Sequence, residues 1–322
     1  MKNIKLGIIG TNFVSDWLCE TVIQADGIEL EAVYSRTEEK GKAFAEKYGI
    51  KKVYTDMEEF LSSSLDAVYI ASPNFCHFEQ AKKVLEKGLH LLLEKPATLC
   101  KGDFEELIGI AEKKGVILLE AMRPVHDPAL DVIKNAMCEL GTIRRATLEY
   151  CQYSSRYDAF RRGEILNAFN SAYGNASVMD LGCYALAVCI SLFGKPSAVT
   201  SKSQKLSNGF EGMGRATLSY DGLDVDVIWA KIYESATPSV ISGEDGSLII
   251  GKVSTLEYAE LIKKGEKKSL VADRQGLNMV YEVENFVKAV NGTLSVKPYH
   301  ETTLAMLEII DEIRRQNGIV FE

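Results

Sequence analysis

The chain has 322 residues, 46% apolar and 25% charged, with a formal net charge of −8. That length supports two domains with separate cores, and the net negative charge without any basic run argues against a nucleic-acid partner held through its phosphates. The seven cysteines include no C-x-x-C pair and the four histidines show no ligand spacing, so neither a disulfide framework nor a bound metal is expected.

No signal peptide is read at the start and no apolar stretch is read as approaching membrane-spanning length. A reducing cytoplasm without a membrane partner is therefore the expected setting. Residues 4–10 form an apolar run ending in glycine, a buried-strand signal, and 13–25 show helical spacing. A second strand is read at 28–34. A helix follows at 37–48, with Thr37 as N-cap and Gly49 beyond its end. Strands at 66–71, 89–93 and 116–120 then alternate with helices at 75–86 and 101–114. This alternation predicts a parallel, doubly wound sheet.

A dinucleotide fold wants G-x-G-x-x-G after its first strand, and Gly10-Thr11-Asn12-Phe13-Val14-Ser15 keeps only the first glycine. Asn12 is expected to take a left-handed backbone in place of the second, and Ser15 is small enough for close packing. Gly10, Thr11, Asn12, Phe13 and Val14 are thus cofactor candidates; the plain alternative is an ordinary strand-to-helix turn. The second strand ends in Ser35-Arg36, which suits a 2′-phosphate better than a free ribose hydroxyl. NADP is the expected cofactor, with NAD possible, against the alternative of a solvated arginine. Ala71, Ser72, Pro73 and Asn74 end the third strand on the same crevice. His77 lies in the next helix's first turn and serves the site or merely starts the helix.

Leu93-Glu94-Lys95-Pro96-Ala97 closes an apolar strand with a carboxylate, a lysine and a proline. An unpaired buried ammonium costs several kcal/mol, so packing does not explain Lys95. The proline holds it extended at the carboxyl end of a strand, where ligands bind in open α/β sheets. Glu94 and Lys95 are placed on the cofactor side, with Lys95 as a proton-transfer group.

The two-proline stretch 121–128 marks the expected boundary between domains 1–122 and 123–322. Arg123 and His126 on it line the substrate site or play plain surface roles. A helix is expected at 129–140, a strand at 142–153, and a loop near the site at 156–162. Residues 175–193 have helical apolar spacing, with Asp180 and Tyr184 on one face. Asp180 has a partner or a task there, or complements the helix dipole while Tyr184 packs in the core. Strands read at 197–205, 214–220, 223–233, 240–242, 247–250, 256–262 and 269–272 suggest an open, mostly antiparallel sheet. The helices at 129–140 and 175–193 would cover one of its faces. Helices at 278–291 and 300–317 close the chain.

Gly7-Ile8-Ile9-Gly10-Thr11, Ile70-Ala71-Ser72-Pro73-Asn74, Glu94-Lys95-Pro96, Glu120-Ala121 and Met179-Asp180-Leu181-Gly182-Cys183-Tyr184 occur in this order. In these motifs the whole chain resembles the Gfo/Idh/MocA oxidoreductases. The resemblance implies an α/β Rossmann domain followed by an α+β domain whose open sheet pairs subunits into a homodimer or homotetramer. It implies that Lys95 contacts the substrate hydroxyl and the nicotinamide ribose, that Asp180 and Tyr184 complete the catalytic set, and that the Lys95–Pro96 bond is cis. Two departures stand out. Asn12 replaces the second glycine, an expected weakening of pyrophosphate binding, and Asn175-Ala176-Ser177 replaces a glycine-rich run, an expected change in pocket shape.

The expected reaction is hydride transfer between NADP and a hydroxyl-bearing carbon of a sugar, polyol or cyclic diol. Lys95 or Tyr184 would be the acid/base, and Asp180 would orient the hydroxyl. A non-catalytic NAD(P)-sensing regulator of the same fold is the main alternative. A redox-assisted glycosidase holding NAD is a third, disfavoured by Ser35-Arg36.

Overall fold

The computed structural model describes residues 3–272 and 279–321. The chain divides into two compact units, Met1–Ala121 with Leu277–Glu301, and Met122–Gly276 with Thr302–Glu322.

In the first unit the expected alternation is present: β1 (Ile4–Ile9), α1 (Phe13–Val22), β2 (Ile28–Tyr34), α2 (Glu38–Tyr48), β3 (Lys52–Tyr54), α3 (Met57–Leu61), β4 (Ala67–Ile70), α4 (His77–Glu86), β5 (His90–Glu94), α5 (Lys101–Lys114) and β6 (Leu118–Ala121). The strands form one parallel sheet in the order β3-β2-β1-β4-β5-β6. β4 and β6 are buried at every residue, as strands covered on both faces must be. β1 lies between β2 and β4, so the strand order reverses there, and the crevice at their carboxyl ends is the ligand-binding place of such sheets. β3 and α3 were not expected; both are short, and β3 is an edge strand of three residues.

The second unit begins with α6 (Arg123–His126), α7 (Pro128–Ala136), β7 (Ile143–Cys151), α8 (Tyr157–Arg161) and α9 (Cys183–Phe193). It continues with β8 (Ala198–Lys205), β9 (Glu211–Tyr220), β10 (Leu223–Ala230), β11 (Ser239–Gly243), β12 (Ser247–Ile250), β13 (Ala259–Lys263) and β14 (Glu266–Val271). These eight strands run in the order β14-β13-β12-β11-β7-β10-β9-β8, antiparallel except where β10 meets β7. The loop expected at 156–162 contains α8, stacked through Tyr157 and Phe160. The helix expected at 175–193 starts as a π turn at Val178–Gly182 and becomes α-helical only from Cys183.

α10 (Val280–Val290) and α11 (Lys297–Asn317) follow; of the helix expected at 278–291, residue 278 lies outside the described residues. Their placement corrects the expected domains. Met279, Val283 and Phe286 belong to the core that holds Leu18, Val22 and Ile28, so the chain returns to the first unit after completing the eight-stranded sheet. α11 crosses the division. His300 donates through Nε2 to the Leu118 carbonyl at 2.8 Å in the first unit. In the second, Gln316 and Asn317 bond the backbone of Ser201 and Ser203 on β8, occupying groups that an edge strand would leave open.

The expectation about apolar length also needs correction. Ser171–Phe193 is long and apolar enough to cross a membrane, with mean hydropathy 1.8, but 83% of that window is buried within the fold. A helix packed on all sides in a protein core is apolar all round for that reason.

Candidate active site

Gly10 ends β1 with φ +105, and a Cβ there would sit 2.6 Å from the Ala71 carbonyl oxygen. Only glycine lets the turn after β1 approach the end of β4 so closely. Asn12 does not take the expected left-handed backbone. It is extended, with φ −99 and ψ 177, and caps α1: its Oδ1 accepts from Val14 N at 2.8 Å and Ser15 N at 3.3 Å. Its Nδ2 donates to the Ala71 carbonyl at 2.6 Å. The side chain thus closes the turn that a second glycine usually shapes through its backbone. Thr11 is half-buried, and Phe13 and Val14 open the helix, whose N-terminus suits an anion.

Ser35 is buried at the end of β2 and Arg36 is exposed beside it. Burial raises the pKa of the Cys76 thiol on the segment after β4, and the Arg36 charge acts in the opposite sense. That segment carries Ser72, Pro73 and the half-buried Asn74; Ser72 Oγ donates to Gln80 Oε1 at 2.7 Å.

His77 ties two loops together. Its Nδ1 lies 2.9 Å from the Pro96 carbonyl and its Nε2 lies 2.9 Å from the Ser72 carbonyl. Only an imidazolium would donate to both, but burial, with the Lys95 charge as a smaller cause, holds its pKa below the ordinary range. That direction favours the neutral ring at neutral pH, which donates to one carbonyl at a time. His77 is buried and acts through the loops it joins.

The Lys95–Pro96 bond is cis, as the resemblance implied. Around it, Glu94 Oε2 accepts from Lys95 N at 3.2 Å, and Glu94 Oε1 accepts from buried Tyr69 OH at 2.6 Å. Glu120 Oε1 accepts from Ala97 N at 2.8 Å. The Glu94 carboxylate is therefore engaged inside the unit, and Glu120, which the sequence offered only as part of the Glu120-Ala121 motif, supports the backbone of Ala97. The half-buried Lys95 stands on a backbone fixed on both sides.

In the second unit the π turn carries Asp180. Its Oδ2 is 2.8 Å from Lys231 Nζ, a residue not expected in the site. The dipole-only reading of Asp180 is thereby replaced by an ion pair. Tyr184 is buried; its oxygen accepts from Arg123 Nη2 at 3.2 Å, and its ring meets Tyr150 edge-on at 5.5 Å. Arg123 is thus placed beside Tyr184, against the plain surface reading, and His126 is buried at the end of α6. Glu211, also missed, fixes the start of the π turn: Oε2 accepts from Ser177 Oγ at 2.7 Å and Val178 N at 2.9 Å, and Oε1 accepts from Trp229 Nε1 at 2.8 Å. Lys95 belongs to the first unit, Asp180 and Tyr184 to the second.

Residues 4–122 match the Gfo/Idh/MocA family model described as an oxidoreductase family with an NAD-binding Rossmann fold. Residues 150–319 match the model of its C-terminal alpha/beta domain. The chain belongs to the Gfo/Idh/MocA oxidoreductase family. It is 39% identical over 322 residues to scyllo-inositol 2-dehydrogenase (NADP(+)) IolU of Bacillus subtilis, covering 99% of this chain and 98% of that protein. It is 24% identical over 346 residues to trans-1,2-dihydrobenzene-1,2-diol dehydrogenase of Oryctolagus cuniculus, covering 99% and 98%. Among solved structures, the 3-ketoreductase KijD10 of Actinomadura kijaniata, in complex with NADP and TDP-benzene, superposes with a TM-score of 0.88 at 20% identity, covering 98% of each chain. That likeness speaks for the fold of this Gfo/Idh/MocA member.

Proposed function

We propose that this family member is an NADP-dependent dehydrogenase that oxidises a ring hydroxyl of a cyclic polyol such as scyllo-inositol, with sugars and cyclic diols as the wider substrate class. The carrying observation is Lys95, presented at the end of β5 on a backbone held by Glu94, Glu120 and His77, in the same unit as the Gly10 turn. The residues fit NADP. Gly10 admits the close turn, Asn12 caps the helix behind it, and β2 ends in Ser35-Arg36 rather than a carboxylate. NADP when bound supplies the hydride acceptor. Gly10, Thr11, Asn12, Phe13 and Val14 would hold its pyrophosphate, Arg36 its 2′-phosphate, and Ala71, Ser72, Pro73 and Asn74 its nicotinamide side.

The protein's own work is to move one proton and fix one geometry. Lys95 acts from its unprotonated amine form: the Nζ lone pair takes the hydroxyl proton as the hydride leaves the carbon for the nicotinamide. Asp180 accepts a hydrogen bond from a substrate hydroxyl and so fixes the reacting carbon, where orientation supplies much of the rate. The Tyr184 oxygen accepts from Arg123, which holds the phenol beside that guanidinium in the second unit. The regulator alternative has no observation in its favour, and the relatives named above are enzymes.

The test is a substrate screen followed at 340 nm, with NADP and NAD against scyllo-inositol, myo-inositol, D-xylose and a trans-dihydrodiol. Turnover of an inositol with NADP, and slower turnover with NAD, is expected. Equal rates with NAD would overturn the Arg36 assignment, and no turnover of any polyol would overturn the reaction.

The eight-stranded sheet also supports pairing of two copies through the face that bears Arg145, Thr217 and Asp226. This face keeps polar side chains in register across β7, β9 and β10, including Thr217 Oγ1 donating to Asp226 Oδ1 at 2.9 Å. Light scattering should give a dimer or tetramer of the 35.6 kDa chain. A monomer at micromolar concentration would contradict this.

A further inference from the structure

Lys231 follows the strand β10, and only 6% of its side chain is exposed. A lysine so enclosed needs its charge answered on every side. Its Nζ donates to the Ala168 carbonyl at 3.1 Å and pairs with Asp180 Oδ2 at 2.8 Å. The rings of Phe169 and Phe210 flank it, with centroids at 5.3 and 5.8 Å. The backbone is tied as well: Lys231 N donates to the Gly212 carbonyl and Ser154 N donates to the Lys231 carbonyl, each at 2.9 Å. The ammonium therefore sits in a cage that fixes its position to within a hydrogen bond's tolerance.

Asp180 is differently placed. Its side chain is 38% exposed, and it rides on the π turn Val178–Gly182, not on regular helix. π turns carry side chains to places that a regular helix face does not reach, and they need outside support. Glu211 and Lys231 give that support. Glu211 grips the turn at Ser177 and Val178, and Lys231 grips the carboxylate itself.

We propose that Lys231 is a positioning residue for the reaction: it holds one oxygen of Asp180 and thereby aims the other at the substrate hydroxyl. This rests on the assignment of Asp180 to the substrate. A carboxylate held at Oδ2 by a fixed cation cannot swing about its Cβ–Cγ bond, so Oδ1 keeps a single direction. Lys231 acts through Asp180, and the contacts named above for it all lie in the second unit, so its removal should leave the nucleotide turn of the first unit in place.

The experiment is a double-mutant cycle on the full chain with scyllo-inositol as the probe and NADP in excess. Lys231→Met should lower kcat by about 10²-fold, the scale expected for a misplacement of about 1 Å. NADPH binding, read by fluorescence titration, should stay within about twofold of wild type, well below one tenfold step in affinity. Lys231→Arg, which keeps the cation, should recover part of the loss. In an Asp180→Asn background, Lys231→Met should add almost nothing, because its effect runs through the carboxylate. Should Lys231→Met fail to fold, Lys231→Gln keeps the length without the charge and enters the same cycle. Full additivity of the two losses, or wild-type kcat in Lys231→Met, overturns the proposal. Inactivity of the wild-type chain on every polyol overturns the functional reading first and this proposal with it.

Discussion

Asn12 accepts two backbone N–H groups at the start of α1 and donates to the Ala71 carbonyl, so replacements can separate its two tasks. Asn12→Ala removes both and should destabilise the chain by about 1 kcal/mol, the usual worth of an N-cap. Asn12→Asp keeps the cap but loses the donation and places a negative charge beside the phosphates. It should melt near wild type and bind NADPH on the order of tenfold more weakly, since a like charge at close range is worth roughly 1 kcal/mol or more. Thermal melting and NADPH titration of both variants check this; equal loss of stability in the two would mean the cap is not the main contact. The cap was legible in part: the asparagine stood out in the sequence, but its backbone was misread because the mid-turn position suggested left-handed geometry. Lys231 teaches a related lesson. It closes the apolar run Val227-Ile228-Trp229-Ala230 as Glu94-Lys95 closes Leu91-Leu92-Leu93, and the burial argument that found Lys95 applies to it unchanged. No sequence signal places Asp180 opposite it, because 51 positions separate the partners and only the sheet brings them together.

At the scale of elements, histidines join the strand ends of the first unit, and His77, His90 and His300 all have their pKa lowered from the ordinary 6.5, chiefly by burial. The unfolded chain therefore binds more protons than the folded one between the lowered values and 6.5. By linkage, stability rises with pH across that window, and is lost as pH falls below about 6.5 toward the folded values. Buried Glu211, whose pKa is raised by burial, acts in the opposite sense above the carboxylate range. Melting temperature should fall between pH 7.5 and pH 5.5, and His77→Gln should flatten part of that slope. An unchanged slope in His77→Gln would show that His77 is not buried neutral. Strands and long helices were readable from spacing, since burial on one or both faces writes a period into the sequence. α8 and the π turn were not. α8 is five residues long and its aromatic residues read as a polar loop, and the π turn keeps nearly the same apolar spacing as the helix it leads into.

For the whole molecule, the alternation of strands and helices followed by a run of strands disclosed both architectures, and the motifs disclosed the family. The division of the chain was harder to read. α10 looks like any amphipathic closing helix, and nothing local states that Val283 and Phe286 return to the core shared by Leu18, Val22 and Ile28, more than 250 positions earlier. The central claim is that Lys95 moves the proton while the nucleotide turn holds NADP. Its most direct test compares wild type with Lys95→Met in two assays, initial rate at 340 nm with the polyol from the substrate screen and fluorescence titration with NADPH. A rate loss of about 10²–10⁴-fold, the usual worth of a general acid or base, is expected, with NADPH affinity nearly kept. A Lys95→Met protein that binds NADPH and turns over at the wild-type rate would contradict it.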